Sequence, residues 1–473
     1  MLADLIGKTL AEHHDGLAVA DGRTASSYRE LDATAGALAN EIAGHVTAER
    51  PRVAICARNS VGYVAAYIAV LRLGGVPFLV DAAVTEAELD SIAEDCSLHA
   101  VLDDRPAPGP ELGAIAGLRL RRRRPNSLLH KLSDGTEVCR FTSGTTGKPQ
   151  CIEFSGDAVA AAARNWVAGT GLDGDDRIVC AAGLSNGLAF NTSLLACLLV
   201  GCQLHLVGGL PTAGRVSRVA ARAVATRLIG FPALYDSFVR TGRSGGAFAD
   251  VEVAISSGAR LRPETAAGFR ELTGITISNY YGIAETGPLT FARTPLSDDS
   301  LGGPLPGVRI EASTAERPDV LSVRSESMAT GYLNAPGVFD QSLSGNGFYR
   351  TSDQGFLRAG ELVLTGRVSQ VINVGGRKVD PVEVADALRR LPGVLDAVVL
   401  EVPDRHGEPA VGAVLAPAAT LDPAEVRRLA AQVLPQHKVP SLVRLVAEIP
   451  PTAIGKPPLA RLRALFADRT EGI

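Results

Sequence analysis

Short apolar strands alternate with helices through the first two thirds of the chain, and this alternation limits the possible folds more than any other feature. PRVAICA (51–57) is a continuous apolar run of strand length. Helical character follows from Gly62 to Leu73 and stops at Gly74-Gly75, and VPFLV (76–80) is strand-like again. Strands apolar on both faces need cover on both faces, so an α/β architecture is expected, with stacked sheets flanked by helices in a large N-terminal domain. The pattern fails between Arg105 and Asn126, where Pro, Gly and an arginine cluster (Arg119, Arg121 to Arg124) predict a loop or edge strand carrying solvated charge. After Thr365 the character changes. Strand-like VINVGG leads to helical PVEVADALRRL (381–391), then DAVVLEV, AVGAVLA, the helix PAEVRRLAAQVL and LVRLVAEI. This reads as a small α+β domain of about a hundred residues. The boundary falls at Gly366–Ser369, giving domains 1–366 and 367–473.

A chain of 473 residues exceeds one ordinary core, and 46% hydrophobic with 21% charged residues is the balance of a globular protein. The net charge of -4 provides no basic field for nucleic acid or membrane, so neither is expected as a partner. The N-terminal stretch MLADLIGKTLAEHHDG carries acids and lacks a basic start followed by an apolar core, so no signal peptide is read. The longest apolar stretch, Val61 to Val80, is broken by Arg72 and two glycines and reads as helix plus strand rather than a membrane span. Seven cysteines in apolar settings, none spaced C-x-x-C, suggest buried reduced thiols and a cytoplasmic protein without zinc. The eight histidines are scattered, and His13-His14 read as surface residues.

The strongest local signal is the string Thr142, Ser143, Gly144, Thr145, Thr146, Gly147 and Lys148, followed by Pro149-Gln150 and flanked by strand-like EVCRF and QCIEF. Glycines admit a polyphosphate to the backbone, hydroxyls and N–H groups donate hydrogen bonds, and the lysine adds charge. The alternative is a plain Ser/Thr/Gly hairpin loop, and the Walker pattern is absent. Other candidates stand downstream in order: Ser256-Ser-Gly-Ala-Arg260, Asn279-Tyr-Tyr-Gly-Ile-Ala-Glu-Thr286, Phe348-Tyr-Arg-Thr-Ser-Asp-Gln-Gly355, Gly366-Arg367 and Pro450-Pro-Thr-Ala-Ile-Gly-Lys-Pro457. No Ser-His-Asp or Cys-His constellation suggests covalent catalysis.

In this order the motifs resemble those of the acyl-adenylate-forming (AMP-binding) superfamily, which includes acyl-CoA synthetases, aryl-acid ligases and peptide-synthetase adenylation domains. The resemblance runs from about residue 25 to 465 and is weakest over 100–135. It implies ATP-dependent activation of a carboxylic acid to an acyl-adenylate with release of pyrophosphate, then transfer to a second nucleophile. It places ATP or AMP on Thr142 to Lys148, Ser257, Gly258, Ala259, Asn279, Tyr280, Tyr281, Gly282, Asp353 and Arg367. Tyr281 would stack on adenine, Asp353 would accept from the ribose hydroxyls, and Glu285 would hold Mg²⁺. Lys456 would bridge the attacking carboxylate and the α-phosphate. The C-terminal domain of the family rotates about a residue that is Ser369 here. The loop Val374-Gly-Gly-Arg-Lys-Val379 would then line a thiol tunnel with Gly375, Gly376 and Lys378, which favours coenzyme A or a carrier-protein phosphopantetheine as acceptor.

Asn186, Gly187 and Gly282 are the candidates for the acid site, and Asn186 has a helix-capping role as its alternative. No Asp lies in Gly183 to Phe190, which disfavours an α-amino acid. Asn186 and Ala284 together lean toward an aromatic or short carboxylic acid. Gln150, Ala284, Ser352 and Ser369 depart from the family pattern. Two rival functions remain at this stage: an adenylating enzyme with an amine or other nitrogen acceptor, and a non-catalytic nucleotide-binding homologue.

Overall fold

The computed structural model describes the chain apart from residues 1, 106–113, 124–129, 143–148, 244–245, 313, 316–317, 368–371, 375–376, 405–408, 419–420, 450–458 and 467–473. It divides into two compact units. The larger holds Met1–Glu311, Ser322–Arg350 and Leu357–Val363; the smaller holds Ala312–Leu321, Thr351–Phe356 and Leu364–Ile473. The division is thus interleaved over 312–363, where the sequence reading draws one cut after residue 366. Strand excursions that leave one core and return to it carry no compositional mark, which is why a single cut was all the sequence offered.

The larger unit contains a nine-stranded and an eight-stranded mixed sheet. The centre of the first is parallel: Leu17–Ala20, Gln203–Leu206, Arg177–Cys180, Arg227–Gly230, Val253–Ser256 and Ile277–Ile283 lie side by side. Each inner strand is short and wholly or nearly wholly buried, as strands covered on both faces must be. The second sheet has Val76–Leu79, Arg52–Cys56 and Ala100–Asp103 in parallel, and Thr136–Thr142 joins them beside Val76–Leu79. The helix Val61–Arg72 lies where its sequence predicts, capped by the Ser60 side chain on the Tyr63 N–H.

The helix Gly156–Thr170 packs on strands of both sheets. Its alanines form a thin face, and its one large residue, Trp166, is fully buried edge-on to Tyr280 (ring centroids 5.1 Å apart) and Phe291 (5.4 Å). Ser155 caps its start and Gly171, in the left-handed conformation, ends it.

Arg119, Arg121 and Arg122 of the arginine cluster lie on Leu118–Arg122, antiparallel to Ala100–Asp103; Arg123 follows the strand, and Arg124 lies outside the described residues. Arg121 pairs with Glu86 and Asp103, and Arg123 with Glu86 and Asp90. Two acids of the helix Glu86–Asp95 and one of the neighbouring strand therefore pair with Arg121 and Arg123, where sequence alone suggested solvated charge, while Arg122 is exposed. His13 also differs from its expected place: it is half-buried, with its ring 5.9 Å from that of Tyr28. All seven cysteines are buried and none is in a disulfide. No helix among the described residues is long and apolar enough to cross a membrane.

In the smaller unit, Val394–Pro403 and Pro409–Pro417 pair antiparallel, and Leu442–Leu445 joins in parallel. The helices Pro381–Arg389 and Pro423–Val433 each begin with proline after a capping aspartate, Asp380 and Asp422. Their apolar faces share one core with the sheet through Val384, Leu388, Val426 and Ala430.

Candidate active site

The Ser/Thr/Gly string joins two antiparallel strands, Thr136–Thr142 and Gln150–Ser155, whose last pair before it is Thr142 with Gln150. Ser143 to Lys148 lie outside the described residues. The base of this hairpin is held by a residue that motif reading passed over. Asn334 Oδ1 accepts from the Cys151 N–H at 2.8 Å, and its Nδ2 donates to the Pro149 carbonyl at 3.0 Å. The return strand pairs in turn with Gly331–Tyr332.

The motif Asn279–Thr286 forms a strand and a tight turn. Ile277–Ile283 runs antiparallel to Gly287–Phe291, with a bulge between Tyr281 and Gly282. Glu285 therefore sits at a hairpin tip. Gly282 has a steric reason to be glycine: a Cβ there would lie 2.6 Å from the Gly287 carbonyl and 2.7 Å from the Tyr280 hydroxyl. Glu285 is half-buried, and the Tyr332 hydroxyl donates to its Oε1 at 2.7 Å. Burial first, and then the nearby Glu285 charge, push the Tyr332 phenol far above its ordinary range, so it stays a donor at any working pH. The Ala329 N–H donates to the Glu285 carbonyl at 2.8 Å, and the Thr330 N–H to the Glu153 carbonyl at 2.9 Å.

Alternation along Ile277–Ile283 separates neighbours. Tyr280 is packed against Trp166 and hydrogen-bonds to Asn191, on the face opposite Tyr281. That makes Tyr280 part of the packing behind the site, whereas the motif reading had grouped it with Tyr281. Asn279 is also buried, with Nδ2 donating to the Ser300 carbonyl at 3.3 Å. Its strand neighbour Ser256 pairs with it in the parallel ladder, so Ser257, Gly258 and Ala259 leave the sheet beside Asn279 at the carboxyl ends of the parallel strands, where open α/β sheets bind ligands. Gly258 has φ +83° and lies against the Phe231 ring.

Asn186 caps a helix: its Oδ1 accepts from the Leu188 N–H at 2.9 Å. The helix runs from Gly187 to Val200 with a π turn over Phe190–Leu194, a distortion frequent at functional sites. Thr192 Oγ1 bonds back to the Leu188 carbonyl at 2.7 Å inside it. Beside Gly187 lies Arg140, a buried cation that motif reading also missed, although an arginine within the apolar strand EVCRF is itself a signal.

Asp353 belongs to the smaller unit and is buried on Tyr349–Arg358, its N–H donating to Thr351 Oγ1 at 3.0 Å. Arg367 ends the strand Glu361–Arg367. Gly375 and Gly376 lie outside the described residues; the flanking pair Val374 with Arg377 leaves two residues between the strands, a spacing that suits Gly-Gly. Lys378 pairs through its backbone with Asn373. Ser369 and Lys456 lie outside the described residues.

A family model for the AMP-binding enzyme matches residues 7–333, and one for the AMP-binding enzyme C-terminal domain matches 383–456. A 3-hydroxybenzoate--CoA/4-hydroxybenzoate--CoA ligase of Thauera aromatica is 24% identical over 507 residues, covering 98% of this chain and 96% of its own. Among solved structures, ATP-bound MatB from Rhodopseudomonas palustris matches with a TM-score of 0.81 at 23% identity, over 100% of both chains. The amide bond synthetase McbA from Marinactinospora thermotolerans matches with a TM-score of 0.74 at 23% identity, over 98% of this chain and 100% of its own.

Proposed function

Because this chain belongs to the AMP-binding enzyme family, we propose that it joins a carboxylic acid, aromatic in our reading, to the AMP half of ATP and then passes the acyl group to the thiol of coenzyme A or of a carrier-protein phosphopantetheine. One observation carries most of this. The short run from Ala329 to Asn334 bonds both to the hairpin bearing Glu285 and to the base of the hairpin bearing the Ser/Thr/Gly string. A carboxylate is thereby fixed on the same framework as a loop whose sequence suits polyphosphate.

The proposed first step is attack of the substrate carboxylate on the α-phosphorus. The carboxylate O–P bond forms, the bond from the α-phosphorus to the bridging oxygen breaks, and pyrophosphate leaves with that oxygen. The protein orients the two reactants and stabilises charge. By their places in the motifs, Lys148 would neutralise the outer phosphates and Lys456 the charge developing between carboxylate and phosphate. Tyr281 is the platform for adenine, and Asp353 and Arg367 are the ribose contacts. Glu285 fits a hard cation: Tyr332 occupies Oε1, and among the described residues Oε2 accepts no hydrogen bond. Magnesium bound with the nucleotide would neutralise phosphate charge there. In the second step the thiol sulfur attacks the acyl carbon, the acyl–oxygen bond breaks and AMP leaves. Rotation of the smaller domain about Ser369 would bring Gly375 and Gly376 to the thiol.

The aromatic reading is supported by the hydroxybenzoate ligase, similar over nearly its whole length. The test is pyrophosphate release with Mg-ATP across a panel of acids, each with and without coenzyme A. Release dependent on an aryl acid and raised by coenzyme A is the expected result. Product formed with an amine and no thiol would reassign the acceptor. Lack of release with every acid, together with binding of a non-hydrolysable acyl-adenylate analogue, would leave the non-catalytic reading.

A further inference from the structure

Arg140 is 5% exposed and, among the described residues, has no carboxylate within salt-bridge distance. Its guanidinium carbon lies over the Phe154 ring at 4.6 Å from the centroid and over the Phe190 ring at 5.4 Å. Among the described residues it makes one hydrogen bond, from Nη2 to the Ala284 carbonyl at 3.1 Å. Nε is buried without a hydrogen-bond partner. A guanidinium has five N–H donors, and an incompletely satisfied buried cation is costly. Burial lowers its pKa to about 10, which leaves it charged at neutral pH.

A small cavity with room for about one water molecule opens on this side chain, lined also by Phe154, Phe190, Asn191 and Ser327. Three features place the cavity in the acid site rather than the nucleotide site. Nη1 approaches Gly187 so closely that a Cβ there would lie 2.6 Å away. The bond to Ala284 ties it to the motif that turns at Glu285. Asn191, on the cavity wall, hydrogen-bonds Tyr280, whose side chain is on the strand face opposite Tyr281.

We propose that Arg140 selects acids bearing a second oxygen, a hydroxyl or carboxylate distant from the reacting carboxylate, which enters this cavity and accepts from the guanidinium. This rests on the adenylation reading above and narrows its substrate class. A site built to bond a substrate oxygen discriminates strongly against the analogue lacking it, because the buried donor is then left unpaired.

The experiment is acid-dependent exchange of labelled pyrophosphate into ATP. Benzoate is compared with its hydroxy- and carboxy-substituted forms, and propanoate with a three-carbon dicarboxylate, in the wild type, Arg140→Met and Arg140→Lys. The wild type is expected to favour an oxygen-bearing member of at least one pair on the order of 10²-fold in kcat/KM. Arg140→Met lowers kcat/KM for the oxygen-bearing acid on the order of 10-fold or more beyond its effect on the plain acid, so the preference collapses, and Arg140→Lys restores part of it. The hydroxy and carboxy arms say which oxygen is read. If Arg140→Met lowers all acids equally, or the wild type shows no preference, the assignment is overturned while adenylation stands. If Arg140→Met does not fold, the wild-type comparison and Arg140→Lys decide alone: a preference absent from the first, or unaltered in the second, overturns it. If no acid supports exchange in the wild type, the adenylation reading falls first, and this inference with it.

Discussion

Glu285 illustrates what one side chain owes to distant sequence. Its type and place in the motif were legible, but its anchor, Tyr332, lies 47 residues on and carries no local mark. Tyr332→Phe removes the donor and leaves the ring, so kcat should fall about 10-fold with KM for ATP rising as the carboxylate loses its orientation. Steady-state kinetics at several magnesium concentrations checks this. Lys456→Ala should abolish adenylate formation while ATP still binds, and should leave transfer from a supplied acyl-adenylate largely intact; equal loss of both steps would contradict its role. Gly376→Leu should do the reverse, blocking thioester formation while pyrophosphate release persists. Asn186 shows the opposite case: its capping bond, one of the two readings open from sequence, is present.

At the scale of elements, the helices and strands named from sequence appear within a few residues of their expected bounds, because apolar periodicity and capping residues are local properties. The π turn over Phe190–Leu194 was not read from sequence, which carries no proline or glycine there to mark it. Asn334→Ala deletes two hydrogen bonds at the base of the hairpin and should cost about 1–3 kcal/mol of stability, read as a lower unfolding midpoint in urea. The strand Gln203–Leu206 gives a pH prediction. Burial, and then the Arg177 charge, lower the pKa of His205 from 6.5 to about 4. Below pH about 6.5 the unfolded chain takes up a proton that the folded chain refuses until about pH 4, so stability falls as the pH drops through that window. His205→Gln should flatten the fall between pH 7 and 5 in urea titrations, and an unchanged slope would refute the assignment.

For the whole molecule, sequence legibility followed chemistry more than shape. Ordered motifs suggested a family that the matches over 7–333 and 383–456 then showed. The interleaved division of the units was not readable, because it depends on strand excursions rather than composition. The cysteines carry a practical consequence. All seven are buried, and all precede residue 203, within the larger unit. The folded surface therefore offers maleimide dyes nothing to react with, and residues 364–473 contain no thiol at all. One cysteine placed by mutation on an exposed site such as Val433 would give a singly labelled protein without stripping any native residue. Its fluorescence would follow that domain directly as ATP, acid and thiol are added in turn.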